Sequence, residues 1–372
     1  MDAPLFIGSE IYRGSSYGPH HPLRVPRVPT VTDLARSLGW LAPGQFRQSP
    51  RARPAALTAF HTPGYVAALE RAEQTQAVDA ATRARHGLGT LSNPVFPEMF
   101  RRPATAAGGS LLAAELVAGG GAVYNPGGGT HHGMADRAAG FCYLNDPVLA
   151  LSRLRALGLT RLAYVDIDAH HADGVEAAFA GVEGMVLVST HEEGRWPFTG
   201  ALEDRAGGVA VNLPLPRGAH DGDFARALDE VILPAVARHR PEAIVLQCGA
   251  DAVAEDPLSR LAWSNRSHVR AVRALRPLAP RMIVLGGGGY NPWSVGRAWA
   301  SVWAALAGHE IPDRLPEAAE AVLRGLSWSH RLGRNPPEHW FTTLFDAPRE
   351  AAPTPGVAER VAALRARLRA AH

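Results

Sequence analysis

Residues able to bind a metal ion lie close together at residues 166–173, which read Asp-Ile-Asp-Ala-His-His-Ala-Asp. Asp168 and His170 are separated by one residue, so on an extended segment both side chains leave the same face and could bind one ion. Asp251, which ends a Cys-Gly-Ala-Asp stretch, could complete the set from another strand. Three protein ligands leave one coordination position open for water or substrate, which is typical of a catalytic metal. Zinc is the first candidate for that metal and Fe(II) is the second.

Two adjacent histidines and a tyrosine are candidates for the chemistry beside this ion. His131 and His132 lie in a glycine-rich turn at residues 127–133, where small residues let the backbone bring imidazoles close to a metal. An imidazole with a near-neutral pKa suits proton transfer. Tyr290 follows the glycine run 286–289. We interpret that run as freeing the Tyr290 hydroxyl to reach a bound carbonyl oxygen and stabilise a tetrahedral oxyanion.

Each of these residues alone has an ordinary explanation. A single Asp or His is most often a turn residue or a helix cap, and a tyrosine is often part of the core. The glycine run 286–289 could be read as a phosphate loop, but the sequence has no GxxxxGK[ST] pattern and no GxGxxG opening a helix after the first strand. The joint occurrence of the motifs therefore favours one metal-dependent active site.

Short apolar runs alternate with longer helical patterns along the chain, which predicts an α/β fold with a mostly parallel sheet covered by helices on both faces. The predicted strands span residues 5–8, 121–124, 162–166, 185–189, 209–213, 243–248 and 282–285. The predicted helices span residues 105–118, 147–157, 172–180, 223–238, 265–276, 293–307 and 356–370. Residues 47–54 and 349–355 are predicted to be surface loops from their Pro and Arg content.

The polar motifs follow four of these strands, and ligands of open parallel sheets bind beyond the carboxyl ends of the strands. The elements therefore position the candidate residues around one site.

Composition limits the function classes. The 372 residues are 46% hydrophobic and 20% charged, as in a globular protein with a sizeable core. The net charge of +3 comes from scattered arginines, so we expect no nucleic-acid partner. The two cysteines, Cys142 and Cys248, fit buried thiols in a reducing compartment. With no export signal and no apolar stretch of about eighteen residues, we expect a cytoplasmic enzyme that does not enter a membrane.

Taken together, the motifs resemble the histone deacetylase superfamily, including its bacterial acetoin-utilisation and acetylpolyamine amidohydrolase branches. The motifs occur in the family's order, at residues 128–132, 140–146, 166–174, 249–257 and 286–290. The resemblance spans about residues 6–307. It implies a single arginase/deacetylase-like catalytic domain over residues 1–372, with a C-terminal extension at 308–372.

The resemblance also assigns roles to residues. It implies that Asp168, His170 and Asp251 bind zinc. His132 would be the general base and acid and His131 its electrostatic partner, while Asp166 and Asp173 would orient the two histidines. Tyr290 would polarise the scissile carbonyl. A structural potassium ion would be held by side-chain or carbonyl oxygens of Asp166, Asp168, His170, Ser189 and Thr190.

The resemblance further implies how a substrate would be held. Phe141, Trp196 and Leu258 match the walls of an acyl-lysine channel, and Gly140 matches its backbone contact. Arg27 matches the basic residue that lines the family's inner cavity. Ser92 stands where the family has a rim Asp that grips the substrate backbone, which is a departure. Hydroxamate-type inhibitors are expected to bind.

The activity implied is hydrolysis of an N-acylated amine, above all acyl-lysine in a protein or peptide, by one metal-activated water. The related ureohydrolases of the arginase class need a second metal held by additional Asp residues, but those positions are Ala172 and Val253 here. A two-metal guanidine hydrolase is therefore disfavoured. The alternatives are an acetylpolyamine amidohydrolase, a non-catalytic acyl-lysine-binding module and a structural metal protein.

Overall fold

Eight parallel strands form one sheet at the centre of the computed structural model, which describes residues 3–370. Their order across the sheet is β2-β1-β3-β8-β7-β4-β5-β6. The strands are β1 Leu5–Gly8, β2 Phe46–Gln48, β3 Gly121–Asn125, β4 Leu162–Asp166, β5 Met185–Glu192, β6 Ala210–Leu215, β7 Ala243–Gln247 and β8 Arg281–Leu285. The predicted α/β class and parallel sheet are confirmed.

The central strands are apolar throughout because both faces of the sheet are covered. In β4, Ala163 and Val165 point into one core while Leu162 and Tyr164 point into the other. All five residues of β4 and of β7 are buried. Side chains alternate between the faces of a strand, so a strand covered on both sides shows a continuous apolar run rather than an alternating one.

Helices cover both faces. They are α1 Ile11–Gly14, α2 Arg27–Ser37, α3 Pro54–Leu57, α4 Pro63–Thr75, α5 Ala80–His86, α6 Arg101–Leu116, α7 Asp146–Ala156, α8 Asp173–Phe179, α9 Asp221–Ala227, α10 Leu233–His239, α11 Arg266–Leu275, α12 Pro292–Ala307, α13 Glu317–Arg324, α14 His339–Thr342 and α15 Val357–Ala370. A π-helical turn, Leu228–Ile232, joins α9 to α10. No helix among residues 3–370 is long and apolar enough to span a membrane.

The seven predicted strands and seven predicted helices are present, with boundaries shifted by up to four residues. The surface loop predicted at residues 47–54 is wrong in part, because it overlaps β2 and reaches the start of α3. β2 is a three-residue edge strand that pairs with β1 and carries Arg47 and Gln48, so its sequence gave no apolar run to detect. Residues 349–355 contain no helix or strand, as predicted.

Four neighbouring strands end at the same level and so place their following loops together. Asp166 of β4 pairs with Gln247 of β7, Gln247 pairs with Leu285 of β8, and Leu285 pairs with Asn125 of β3. The loops after these strands carry the four motifs singled out from the sequence. The sheet register therefore gathers those motifs at one edge, as expected for a parallel sheet.

Candidate metal centre and acid–base site

Asp168, His170 and Asp251 form a buried group whose ligand atoms all lie within 4.8 Å of one another. His170 Nδ1 is 2.9 Å from Asp251 Oδ2 and 3.2 Å from Asp168 Oδ1. The structure thus brings together the three residues predicted to share an ion. The predicted local conformation is wrong, however, because residues 168–170 form a bend after β4 rather than an extended segment.

Backbone groups fix the two carboxylates. Ala169 N donates to Asp251 Oδ1 at 2.9 Å, His170 N to Asp168 Oδ1 at 2.9 Å, and Gly288 N to Asp168 Oδ2 at 2.7 Å. Hydrogen bonds from backbone N–H groups stabilise the charged form of a carboxylate. The carboxylates are therefore oriented by the fold itself, which is the preorganisation that a metal site requires.

The glycines around the triad are required by close packing. A Cβ added to Gly249 would lie 1.9 Å from Asp168 Oδ2, and one added to Gly288 would lie 2.0 Å from Asp251 Oδ2. Only glycine lets the backbone approach a carboxylate so closely. Close packing therefore explains the glycine run 286–289, and the freedom of movement inferred from the sequence is not needed to explain it.

The donor set fits a divalent ion. Two carboxylates and one imidazole are buried side by side, and burial together with the charge of Asp168 raises the pKa of Asp251. Such crowding is unfavourable unless a cation compensates it. Oxygen, nitrogen and oxygen donors with room for a further ligand match a catalytic zinc site. Ala172 and Val253, the positions where a second ion would need ligands, are buried and apolar.

Each candidate acid–base histidine is paired with a carboxylate. His131 Nδ1 lies 2.8 Å from Asp166 Oδ2, and His132 Nδ1 lies 2.6 Å from Asp173 Oδ1. Burial acts to lower the pKa of His131, but the charges of Asp166 and Asp168 outweigh it and raise the pKa to about 9. Burial lowers the pKa of His132 to about 4, and the neighbouring His131 adds to that effect. The two imidazoles thus differ strongly in proton affinity, although their rings lie only 3.9 Å apart.

Asp146 holds the turn that carries these histidines, a role that the sequence motif did not reveal. Its carboxylate accepts hydrogen bonds from the backbone N–H groups of Gly129 and Thr130 at 3.0 and 2.8 Å. Asn145 caps α7 and donates to the carbonyl oxygens of His131 and Gly133. The signal available in the sequence was an Asp at the start of a predicted helix.

A channel of about 290 Å³ leads from the surface to the triad. Phe141, Trp196 and Leu258 line it together with Gly140 and Ser92. The further lining residues are His132, His170, Arg195 and Tyr290. The Trp196 ring packs edge-on against His132 at 4.6 Å. A Cβ on Gly140 would lie 2.4 Å from the Trp196 ring, so glycine is needed there for the narrow passage.

Tyr290 lies where the channel reaches the triad. It is buried, and its backbone N–H donates to Asp256 Oδ2 at 2.7 Å. Burial raises the pKa of Tyr290 well above its usual value, so its hydroxyl keeps its proton and can donate a hydrogen bond. Cys142 is also buried, and burial raises the pKa of its thiol, which does not suit a nucleophile.

A second cavity, of about 50 Å³, continues from the triad into the protein. Arg27 lines this cavity. Tyr12 and Arg102 also line it, and sequence reasoning missed both. The two cavities share His132, His170 and Tyr290, so the triad lies between an outer channel and an inner cavity.

Ser189 and Thr190, the remaining candidates, lie in β5 beside β4. Thr190 Oγ1 donates to the carbonyl oxygen of Asp166 at 3.4 Å, and Ser189 Oγ lies 3.0 Å from His191 Nδ1. Both residues are buried. They are thus next to the strand end that carries Asp166.

Comparisons with known proteins agree with this architecture. A histone deacetylase domain model matches residues 21–306. The acetoin utilization protein AcuC of Bacillus subtilis is 33% identical over 330 residues, which cover 84% of this chain and 85% of AcuC. Histone deacetylase 9 of Arabidopsis thaliana is 35% identical over 314 residues, covering 82% of this chain and 73% of the relative.

Solved structures give the same result. The crystal structure of an HDAC homolog from Aquifex aeolicus has a TM-score of 0.92 at 32% identity, covering 98% of this chain and 100% of that one. A crystal structure of an HDAC homolog complexed with SAHA has a TM-score of 0.93 with the same identity and coverage. These findings confirm the family resemblance predicted from the motifs. The chain belongs to the histone deacetylase family, and its reaction is hydrolysis of an acetyl-amide bond of the deacetylase type.

Proposed function

We propose that the protein is a zinc-dependent deacylase acting on N6-acyl-lysine in proteins or peptides. The observation that carries this proposal is the buried Asp-His-Asp group at the inner end of a narrow channel, beside two carboxylate-paired histidines. Zinc would be held by Asp168, His170 and Asp251, and when bound it would supply Lewis-acid polarisation of the carbonyl and a more acidic water. Fe(II) fits the same donors.

His132 is proposed as the general base. Its Nδ1 is held by Asp173 at 2.6 Å, which leaves Nε2 as the atom that accepts a proton from the attacking water. The same nitrogen can return the proton to the leaving amine, giving carboxylate and free amine without a covalent enzyme intermediate. His131 would act as the electrostatic partner of His132, and Asp166 would orient His131.

Tyr290 is proposed to stabilise the oxyanion that develops from the acyl carbonyl. The protonated hydroxyl of a buried tyrosine is a preorganised donor, and such donors act strongly where water is excluded. Phe141 packs edge-on against the Tyr290 ring at 5.8 Å. The ring is therefore held by the wall of the channel that the substrate would enter.

The channel also bears on the class of substrate. Its apolar walls would accept the methylene chain of a lysine, and hydroxamate-type inhibitors should enter by the same route. Polyamines carry positive charges that a site would balance with carboxylates. Among residues 3–370, the channel is lined by Ser92 and Arg195 and by no acidic residue. The acetylpolyamine alternative is therefore less favoured than acyl-lysine.

The remaining proposals concern a second ion, the cellular location and the partners of the protein. A structural potassium ion would be held by oxygens of Asp166, Asp168, His170, Ser189 and Thr190. The two cysteines are free and buried, which supports a cytoplasmic location. No nucleic-acid or membrane partner is proposed.

Release of free amine from acyl-lysine peptides and from acetylated polyamines, in one panel with zinc-loaded protein, tests this function. We expect peptide turnover that disappears in His132→Ala. Turnover of polyamines alone would replace the proposal with the polyamine alternative. If neither class is hydrolysed while acyl-lysine peptides still bind, the protein would be a binding module instead.

A further inference from the structure

Arg195 lies at the outer end of the channel. His132 and His170, which line the channel beside the triad, are buried. Ser92 and Trp196 also line the channel and are exposed to solvent. The Arg195 side chain is 28% exposed, so it belongs to the outer group. A substrate whose acyl-lysine side chain fills the channel would therefore bring its main chain close to this guanidinium.

A buried carboxylate fixes the direction of the Arg195 guanidinium. Arg195 Nε donates to Glu192 Oε2 at 2.9 Å and Arg195 Nη2 donates to Glu192 Oε1 at 2.7 Å, which makes a bidentate pair. The Glu192 side chain is only 6% exposed, and its Oε2 also accepts the backbone N–H of Arg260 at 2.7 Å. The guanidinium is therefore held in place before a substrate arrives, which lowers the entropic cost of binding to it.

The Nη1 group of Arg195 is the part of the guanidinium that remains for a ligand. It makes no hydrogen bond with any residue between 3 and 370, although its N–H groups are donors. Because Nε and Nη2 face Glu192, Nη1 points away from that carboxylate. A second carboxylate at Nη1 would still be repelled by Glu192, whereas a neutral carbonyl oxygen would not be. The pair therefore favours a carbonyl oxygen as the acceptor.

A peptide chain supplies such an acceptor, and a small acylated amine does not. An acyl-lysine in a peptide has backbone carbonyl oxygens on its own residue and on the preceding one, at the end of the side chain opposite the acyl group. An acetylated polyamine or alkylamine has only the acyl carbonyl, which must reach the triad. A site built to hydrogen-bond a substrate group discriminates against analogues that lack the group. Arg195 can therefore separate the two classes of substrate.

We propose that Arg195 determines the preference for peptide substrates by donating a hydrogen bond from Nη1 to a backbone carbonyl oxygen beside the acyl-lysine. This inference rests on the proposed deacylase function and adds how the main chain of the substrate is recognised. Glu192 is a positioning residue, since it holds Arg195 and does not line the channel. Trp196, the next residue after Arg195, forms part of the channel wall. One loop would thus hold both the side chain and the main chain of the substrate.

The test compares an acetyl-lysine peptide with blocked ends and N-pentylacetamide, which reproduces the acetylated side chain up to Cα and has no peptide backbone. Wild type and Arg195→Met are measured with the full chain loaded with zinc. The kcat/KM ratio of peptide to N-pentylacetamide should fall about tenfold in Arg195→Met, because one hydrogen bond to a charged group is lost. Arg195→Lys keeps the charge beside Glu192 but loses the fixed planar donor, so it should lower the ratio less.

Arg360→Met is the matched control. Arg360 of α15 forms an ion pair with Glu193, the residue after Glu192, at 2.8 Å, but it does not line the channel. The ratio should stay at the wild-type value in this variant. If Arg195 only held the loop that carries Trp196, Arg195→Met would lower both activities together and leave the ratio unchanged, which would overturn the inference. Should Arg195→Met fail to fold because Glu192 is left unpaired, the double variant Glu192→Gln/Arg195→Met removes that charge and should show the same fall.

Peptide binding without turnover separates this inference from the proposed function. Calorimetric titration with the acetyl-lysine peptide should give zinc-loaded His132→Ala a Kd about tenfold lower than that of His132→Ala/Arg195→Met. If wild type hydrolyses neither substrate but this difference in binding is found, the deacylase proposal fails and the role of Arg195 stands. Equal kcat/KM of wild type for the two substrates would overturn the inference, even if no Arg195 variant folded. Equal affinity, or no affinity, of the two His132→Ala proteins for the peptide would overturn it as well.

Discussion

Removal of the Tyr290 hydroxyl tests the proposed chemistry most directly. Tyr290→Phe deletes one oxygen and keeps the ring, which packs against Phe141, and the backbone hydrogen bond to Asp256. Substrate should therefore still bind, with KM changed little. The loss of a preorganised oxyanion donor costs about 2.7–4 kcal/mol in the transition state, so kcat should fall about 10²- to 10³-fold.

The assay is steady-state release of free amine from an acyl-lysine peptide, with kcat and KM determined separately. Tyr65→Phe is the matched control, because it also deletes a buried hydroxyl. Tyr65 Oη donates to the carbonyl oxygen of Tyr143 at 2.5 Å, and Tyr65 lines neither cavity. This variant should lose about 1 kcal/mol of stability and keep its kcat. A kcat for Tyr290→Phe within a factor of about three of wild type would refute the assigned role.

Three further outcomes are expected. Asp173→Asn should lower kcat more than it raises KM, because the Asp173 carboxylate that orients His132 at 2.6 Å is lost; a change in KM alone would contradict that positioning role. A chelator should abolish amine release and added zinc should restore it, while circular dichroism shows the sheet and helices retained; unfolding on metal removal would instead favour a structural metal. Burial lowers the pKa of His61 to about 4, so the unfolded chain binds a proton below about pH 6.5 that the folded chain does not. The free energy of unfolding should therefore fall by about 3 kcal/mol between pH 6.5 and 4 because of this residue. The thermal midpoint of His61→Gln should depend less on pH across that window than the thermal midpoint of wild type does.

The sequence predicted the strands of the sheet well and the helices that precede α6 poorly, for a physical reason. Strands buried on both faces, such as β4 and β7, must be apolar throughout, and such runs are easily recognised. The short helices α3 and α5 begin at loop-rich segments containing Pro54 and Asp79, and their stability comes from packing against the rest of the protein. Local patterns carry little information about elements of that kind.

The site was predictable where chemistry restricts the residue type and not where packing alone selects it. Asp168, His170 and Asp251 could be named because few residue types bind a metal. Arg102 could not, since the second of two adjacent arginines at the start of an alanine-rich helix is indistinguishable from a surface residue in sequence. Its burial depends on how α6 packs against the segment carrying Tyr12 and Tyr17, and that contact joins residues about 90 positions apart.

Several positions around the triad break local rules. Phe141 has a φ of +68°, a left-handed conformation that is unfavourable for a residue with a side chain, and it forms the wall shared by both cavities. Arg27 and Arg102 lie in the first turns of α2 and α6, where a positive charge opposes the helix dipole. Asp168 and Asp251 are buried side by side. Each of these features costs stability where it stands, and the two cores flanking the sheet supply the stability that tolerates them. The crowding of Asp168 and Asp251 is the conflict that a bound cation would relieve, which is the physical reason for placing the metal at the triad.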